Sequence, residues 1–327
     1  MQSIDIPPLK FRPILKSVIW GGEKIAPFKG IVTEQDHIGE SWEISGVPGS
    51  PSIVANGPDE GKTLPEILEK YKGALVGEEN YKLYGNTFPL LIKIIDAAGD
   101  LSVQVHPDDE LARKRHNSLG KTEMWYIVDT EPDAKICAGL TQHLTPEDYE
   151  TKVKDNTIMD AIACHESKPG DVFFLPAGRI HSIGAGNLLV EVQETSDITY
   201  RIYDFGRVDA KTGKPRQLHV EEAKDAIDYT VYPSYVTAPG KEIEGIEKLV
   251  ECSHFQVYRL NIDGKKKFYP TIDTFSSLTC IEGNLTVVDD RGNTLEFHKG
   301  ETVLIPAMAK EFTLTGTGVI IDAACGQ

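Results

Sequence analysis

Gly170-Asp171-Val172-Phe173-Phe174-Leu175-Pro176-Ala177 is answered in the C-terminal part of the chain by Gly300-Glu301-Thr302-Val303-Leu304-Ile305-Pro306-Ala307. In each word a glycine and an acid open the segment, branched and aromatic side chains fill it, and Pro-Ala closes it. That is the composition of a short β-strand held between turns. The repetition predicts two related jelly-roll barrels. The copies diverge past the second turn: the first places His181 five residues after its proline, the second places Glu311 there. Only the first keeps the histidine that a metal site would use there.

Outward from this word, most segments are short, rich in Val, Ile, Phe, Tyr and Thr, and separated by Gly, Pro, Asn and Asp. Strands are expected over 88–95, 102–106, 123–128, 171–175, 188–192 and 255–260. Helices are fewer. Thr63 and Glu66 fit a capping box ahead of Leu64, Ile67, Leu68 and Tyr71, which share one helical face. Thr145-Pro146-Glu147 reads as a second helix start and Val220 to Asp228 as a third. These helices decorate the strands and do not alternate with them, so a mainly β fold is expected and a doubly wound sheet is not. A break at Ala238-Pro239-Gly240-Lys241 divides residues 1–238, with a small helical segment near 63–84, from a second, metal-free barrel over 239–327.

The chain of 327 residues carries 50 acidic and 34 basic side chains, a formal charge of −16. Such a field disfavours nucleic acid and anionic membrane surfaces, and an anionic substrate has to be met by a few local cations. The N-terminal residues lack a signal-peptide pattern and no apolar run approaches a membrane span. Five scattered cysteines without a CxxC pair are expected to be reduced thiols of a cytoplasmic protein, with neither a disulfide framework nor a zinc knuckle.

The chemistry concentrates at Ser102-Val103-Gln104-Val105-His106-Pro107-Asp108. Strand periodicity sends Ser102, Gln104 and His106 to one face and the two valines to the other. Glu123 opens the following strand, and a strand-turn-strand path is expected to set it beside the Gln-x-His pair. His181 follows the repeated strand. Gln104, His106, Glu123 and His181 together offer two imidazoles, a carboxylate and an amide oxygen, a set suited to one zinc ion with a position left for water or a sugar oxygen. His37, His116, His143, His165, His219, His254 and His298 lack such company and are read as structural or surface residues. Trp20 is read as a core aromatic.

Four words, Ser102 to Asp108, Lys121-Thr122-Glu123-Met124-Trp125-Tyr126, Leu175-Pro176-Ala177-Gly178-Arg179-Ile180-His181 and Asp197-Ile198-Thr199-Tyr200-Arg201-Ile202-Tyr203-Asp204, resemble in order and spacing the type I mannose-6-phosphate isomerases of the cupin superfamily. The likeness is to the short bacterial form and runs from about Pro13 to the C-terminus. It implies the same four metal ligands and a catalytic arginine at Arg201. It also implies an aldose-ketose isomerisation between mannose 6-phosphate and fructose 6-phosphate through an enediolate. Arg201 would then stabilise the enediolate, and Lys121 and Ser102 would help hold the phosphate. Lys121, Glu191 and Glu194 are all open as the proton-shuttling base. The expected partner is a small phosphorylated sugar, and the expected assembly a monomer or weak homo-oligomer. Two features depart from the longer members: Gly120 stands where they carry a histidine before the lysine, and only the modest segment from Thr63 to Tyr84 stands for their helical insertion. Two other classes are open to a cupin, a non-catalytic sugar-binding protein and a metal-dependent oxygenase. The intact ligand set and the Tyr200-Arg201 word speak against a relic site.

Overall fold

Period-2 alternation decides the layering. In the computed structural model, which describes residues 5–208 and 213–326, three antiparallel sheets are present. The first has six strands, including Leu90–Ala97, Glu123–Thr130, Val172–Leu175 and Asn187–Glu194. Leu90, Ile92, Ile94, Met124, Tyr126, Val190 and Val192 point to one face and join a core shared with Leu9, Phe255, Val257, Leu304 and Ile321 of the eight-stranded sheet. Ile95, Ala97, Trp125, Ile127, Phe173 and Leu189 point to the other face and pack on Ile136, Ala138 and Ile183 of the five-stranded sheet. A sheet covered on both sides reads as a nearly continuous apolar run, which is why Leu90–Ala97 is buried along its whole length.

The five-stranded sheet runs in the order Tyr200–Tyr203, Val103–Val105, His181–Ile183, Lys135–Leu140, Ile162–Glu166. Its back is closed by Val103, Val105, Tyr200 and Ile202 packing on Tyr149 and Val153 of the Pro146–Lys154 helix and Ala223 of the Val220–Ala226 helix. The three helices expected from sequence are all present, and both the Thr63 and the Thr145 starts form complete capping boxes. Among the unforeseen helices is Asp109–His116, whose sequence DELARKRH has no apolar stripe; it is set by the Asp108 side chain accepting a bond from the Leu111 amide.

The repeated words occupy matching elements. Val172–Leu175 and Thr302–Ile305 are both strands, and both are entered through a glycine at positive φ, Gly170 at 92° and Gly300 at 85°. Glu311, the second copy's counterpart of His181, forms an ion pair with Lys267 at 2.6 Å. The C-terminal sheet also recruits the N-terminus: Leu9–Arg12 pairs with Thr302–Ile305 on one side and with Ile53–Val54 on the other. The division of the sheets therefore does not follow the break at 238 and 239.

Two expectations are corrected. Cys137 and Cys164 are joined in a disulfide, because Lys135–Leu140 and Ile162–Glu166 pair antiparallel with these two residues opposite each other. That register is a tertiary property the spacing of the cysteines does not encode. Cys252, Cys280 and Cys325 are free. Glu123, moreover, does not lie in a strand adjacent to the Gln-x-His pair: Glu123–Thr130 belongs to the six-stranded sheet and Val103–Val105 to the five-stranded one. The Asp109–His116 helix intervenes, and the carboxylate reaches the histidines from across the sandwich. Among the described residues no helix is long and apolar enough to cross a membrane.

Candidate active site

Register brings three of the expected side chains into one row. Gln104 is opposite His181 on one side and opposite Arg201 on the other, so all three project from one face of the five-stranded sheet. Across the sandwich, alternation on the six-stranded sheet turns Lys93, Glu123, Trp125 and Glu191 toward them. Between the two sheets lies a cavity of about 330 Å³ whose wall includes Ser102, Gln104, Lys121, Glu191 and Arg201. His106, Glu123 and His181 are at most 1 % exposed.

The three buried groups converge. One ligand atom from each of His106, Glu123 and His181 lies within 4.8 Å of the others, and the two imidazole centroids are 4.7 Å apart. Both rings are oriented from behind: Nδ1 of His106 donates to the Ile198 carbonyl at 2.9 Å and Nδ1 of His181 to the Arg179 carbonyl at 2.8 Å. Each Nε2 lone pair is thereby left facing Glu123, at 3.5 Å from Oε2 and 3.3 Å from Oε1. Neither carboxylate oxygen receives a directed hydrogen bond, although the Lys121 ammonium is 2.9 Å from Oε2 and 3.0 Å from His106 Nε2.

Burial sets the protonation. It holds His106 well below the ordinary imidazole range, with Lys121 and His181 adding to the effect. It pushes His181 down to about 4 and raises Glu123 above the usual carboxylate range. Neutral imidazoles whose Nε2 atoms converge on one buried carboxylate are what a divalent cation requires, so the residues fit a metal. Gln104 fits on one condition. Its Nε2 faces His181 Nε2 at 3.3 Å while Oε1 lies 3.4 Å from the Ser102 hydroxyl, so the amide has to turn over to present its oxygen.

Arg201 donates through Nε to Ser102 Oγ at 3.3 Å and through Nη1 to the Gln217 carbonyl at 2.9 Å. Burial, and next Arg216, lower its pKa from the ordinary guanidinium value. Of the two open carboxylates, Glu191 borders the cavity, whereas Glu194, three residues on and on the opposite strand face, accepts from the Thr122 amide at 2.7 Å and pairs with His254. Glu191 lies 2.9 Å from the Lys93 ammonium and accepts from Trp125 Nε1 at 2.8 Å. Burial raises its pKa, but Lys93 and Lys121 outweigh it and hold the carboxyl ionised.

Lys93, Glu40, Asp197 and Arg216 also line the cavity and were not singled out from sequence. Lys93 had a signal: a lysine in the middle of Leu90-Leu91-Ile92-Lys93-Ile94-Ile95 is a charge where only burial is possible. Trp20 belongs to the core and to the cavity wall at once.

The comparisons with known proteins point to one family. Residues 9–143 match the phosphomannose isomerase type I catalytic domain and residues 245–324 the mannose-6-phosphate isomerase cupin domain. Mannose-6-phosphate isomerase ManA of Bacillus subtilis is 38% identical over 312 residues, covering 94% of this chain and 96% of that protein. The mannose-6-phosphate isomerase of Streptococcus mutans is 32% identical over 96% of this chain and 97% of its own length. The crystal structure of the Bacillus subtilis mannose 6-phosphate isomerase superposes with a TM-score of 0.88 at 33% identity, covering 97% of this chain and 99% of that one. Fold and site thus define a cupin-type sugar-phosphate isomerase. The chain belongs to the type I mannose-6-phosphate isomerase family.

Proposed function

We propose that this chain is a zinc enzyme interconverting mannose 6-phosphate and fructose 6-phosphate. In this reading Gln104, His106, Glu123 and His181 hold one zinc ion, and Arg201, Lys121 and Ser102 meet the substrate. The observation that carries it is the convergence of two neutral imidazoles on one buried carboxylate, beside a cavity bearing Arg201. When bound, the ion polarises sugar oxygens and lowers the cost of negative charge on them.

The chain's own residues supply the rest. Arg201, fixed by Ser102 and Gln217, is placed to meet the enediolate oxygen on which charge collects during proton transfer between C1 and C2. Glu191, held ionised at the cavity wall, is the carboxylate in position to take and return that proton, and Lys121, beside Glu123, competes for the role. Lys93, Lys121, Arg201 and Arg216 give a −16 protein its local cations for a phosphate.

The same reading takes residues 1–238 as the catalytic unit, with 239–327 as a second jelly-roll that borrows Leu9–Arg12 and Ile53–Val54. It has the chain act in the cytoplasm, where sugar phosphates are made and used, as a monomer or weak homo-oligomer without nucleic-acid or membrane partners. A coupled assay for fructose 6-phosphate tests the activity: chelation should abolish turnover and zinc restore it. His181→Ala should lower the metal content. Undiminished turnover in metal-free protein, or full zinc occupancy in His181→Ala, would remove the metal assignment.

A further inference from the structure

Asp109, Glu194 and His254 come from three distant elements: the first turn of the Asp109–His116 helix, the end of the Asn187–Glu194 strand, and the turn between Ile246–Glu251 and Phe255–Phe268. One ligand atom from each lies within 4.8 Å of the other two. None of the three borders the cavity.

Both carboxylates are aimed by the backbone. Asp109 Oδ1 accepts from the Gly120 amide at 2.8 Å, and Glu194 Oε2 accepts from the Thr122 amide at 2.7 Å. The second oxygen of Glu194 faces His254 Nδ1 at 3.0 Å. Backbone donors of this kind orient metal-binding carboxylates. Among the described residues no lysine or arginine ion pair is formed by Asp109 or Glu194; the N-terminal end of its own helix offsets part of the Asp109 charge. A protonated His254 would offset one of two adjacent negative charges. An imidazole ion pair accounts for His254 and Glu194, while Asp109, held by the Gly120 amide and its helix N-terminus, has no side-chain partner of its own in the cluster.

We propose that Asp109, Glu194 and His254 form a second divalent-cation site of the zinc class, completed by water, which ties the 120–122 turn to the His254 turn of the C-terminal sheet. Glu194 is buried while Asp109 and His254 are partly exposed, so an ion can enter from solvent and keep part of its hydration. The 120–122 turn carries Lys121 and leads into Glu123, so occupancy would hold that segment in place.

The test is zinc stoichiometry of the full chain, stripped with chelator, reloaded, desalted and measured by elemental analysis alongside zinc titration calorimetry. Two zinc ions per chain are expected in the unmodified protein, one in His254→Gln, one in His181→Ala, and none in the double variant. Asp109→Asn should weaken the second binding event roughly tenfold or more, and it stands in should His254→Gln fail to fold. Retention of both zinc ions in His181→Ala with loss of one in His254→Gln would sink the active-site assignment and leave this one standing. A single zinc per chain, removed by His181→Ala and untouched by His254→Gln or Asp109→Asn, would overturn the second site. So would a His254→Gln protein that melts earlier with its zinc content unchanged, which is the behaviour of an ion pair alone.

Discussion

Arg201 donates to the hydroxyl of Ser102 at 3.3 Å across 99 residues of sequence, and both side chains border the cavity. Arg201→Ala removes the guanidinium without touching the imidazoles or Glu123. Turnover should fall by about 10²–10³-fold, the usual loss when one donor to a developing oxyanion is deleted. Zinc content should not change. Measuring both in one preparation separates the roles: loss of metal together with turnover would make Arg201 a structural residue.

Lys93 and Glu191 form a buried ion pair at 2.9 Å, with both side chains at most 6% exposed. Deleting one partner strands the other charge. Lys93→Met should destabilise the fold by about 3–5 kcal/mol in urea unfolding, and adding Glu191→Gln should recover a large part of that loss. A single variant as stable as the parent would show that the pair is not desolvated.

Asp59 gathers Lys62, Lys70 and the Tyr71 hydroxyl at 2.6, 2.8 and 2.5 Å, tying the loop before the Leu64–Tyr71 helix to its last turn. Burial raises its pKa, but these partners outweigh it and lower the value from 3.8 to about 2. A carboxyl depressed in the folded state contributes fully above its unfolded pKa and loses that contribution as pH falls toward the folded value. Stability should therefore drop between about pH 4 and pH 2. Asp59→Asn should be weaker at pH 7 and flatter across that window in denaturant titrations at fixed pH; parallel curves would contradict the linkage.

Gly120 packs backbone on backbone: a Cβ there would lie 2.6 Å from the Asp109 nitrogen and 2.7 Å from the Asp108 carbonyl carbon. A histidine side chain at this position would not fit the turn as it is folded here. Gly120→Ala should force the turn to shift, costing about 1–3 kcal/mol, and should displace Lys121. Thermal melting and the Michaelis parameters would both register the change, and a neutral result in both would mean the turn has slack.

Much of this site was legible because strand alternation is a local rule. The Gln-x-His word could only place Gln104 and His106 on one face, and the glycine at positive φ ahead of each repeated strand marked where that strand begins. Capping boxes at Thr63 and Thr145 worked for the same reason: their partners are three residues away. Helix Asp109–His116 escaped because it presents no apolar stripe, and His254 because its companions lie 60 and 145 residues away.

Sequence by itself determined which face of each strand the polar side chains occupy and supplied the candidate residues of the site, since both follow from residue type and period. Tertiary structure alone decided who meets whom. Glu123 reaches the histidines from the opposite sheet, Cys137 meets Cys164 through strand register, Lys93 neutralises Glu191, and a turn of the C-terminal sheet comes to rest against Asp109 and Glu194. These are long-range contacts. Their energies come from desolvation and charge pairing between segments whose approach is fixed only when the sheets pack.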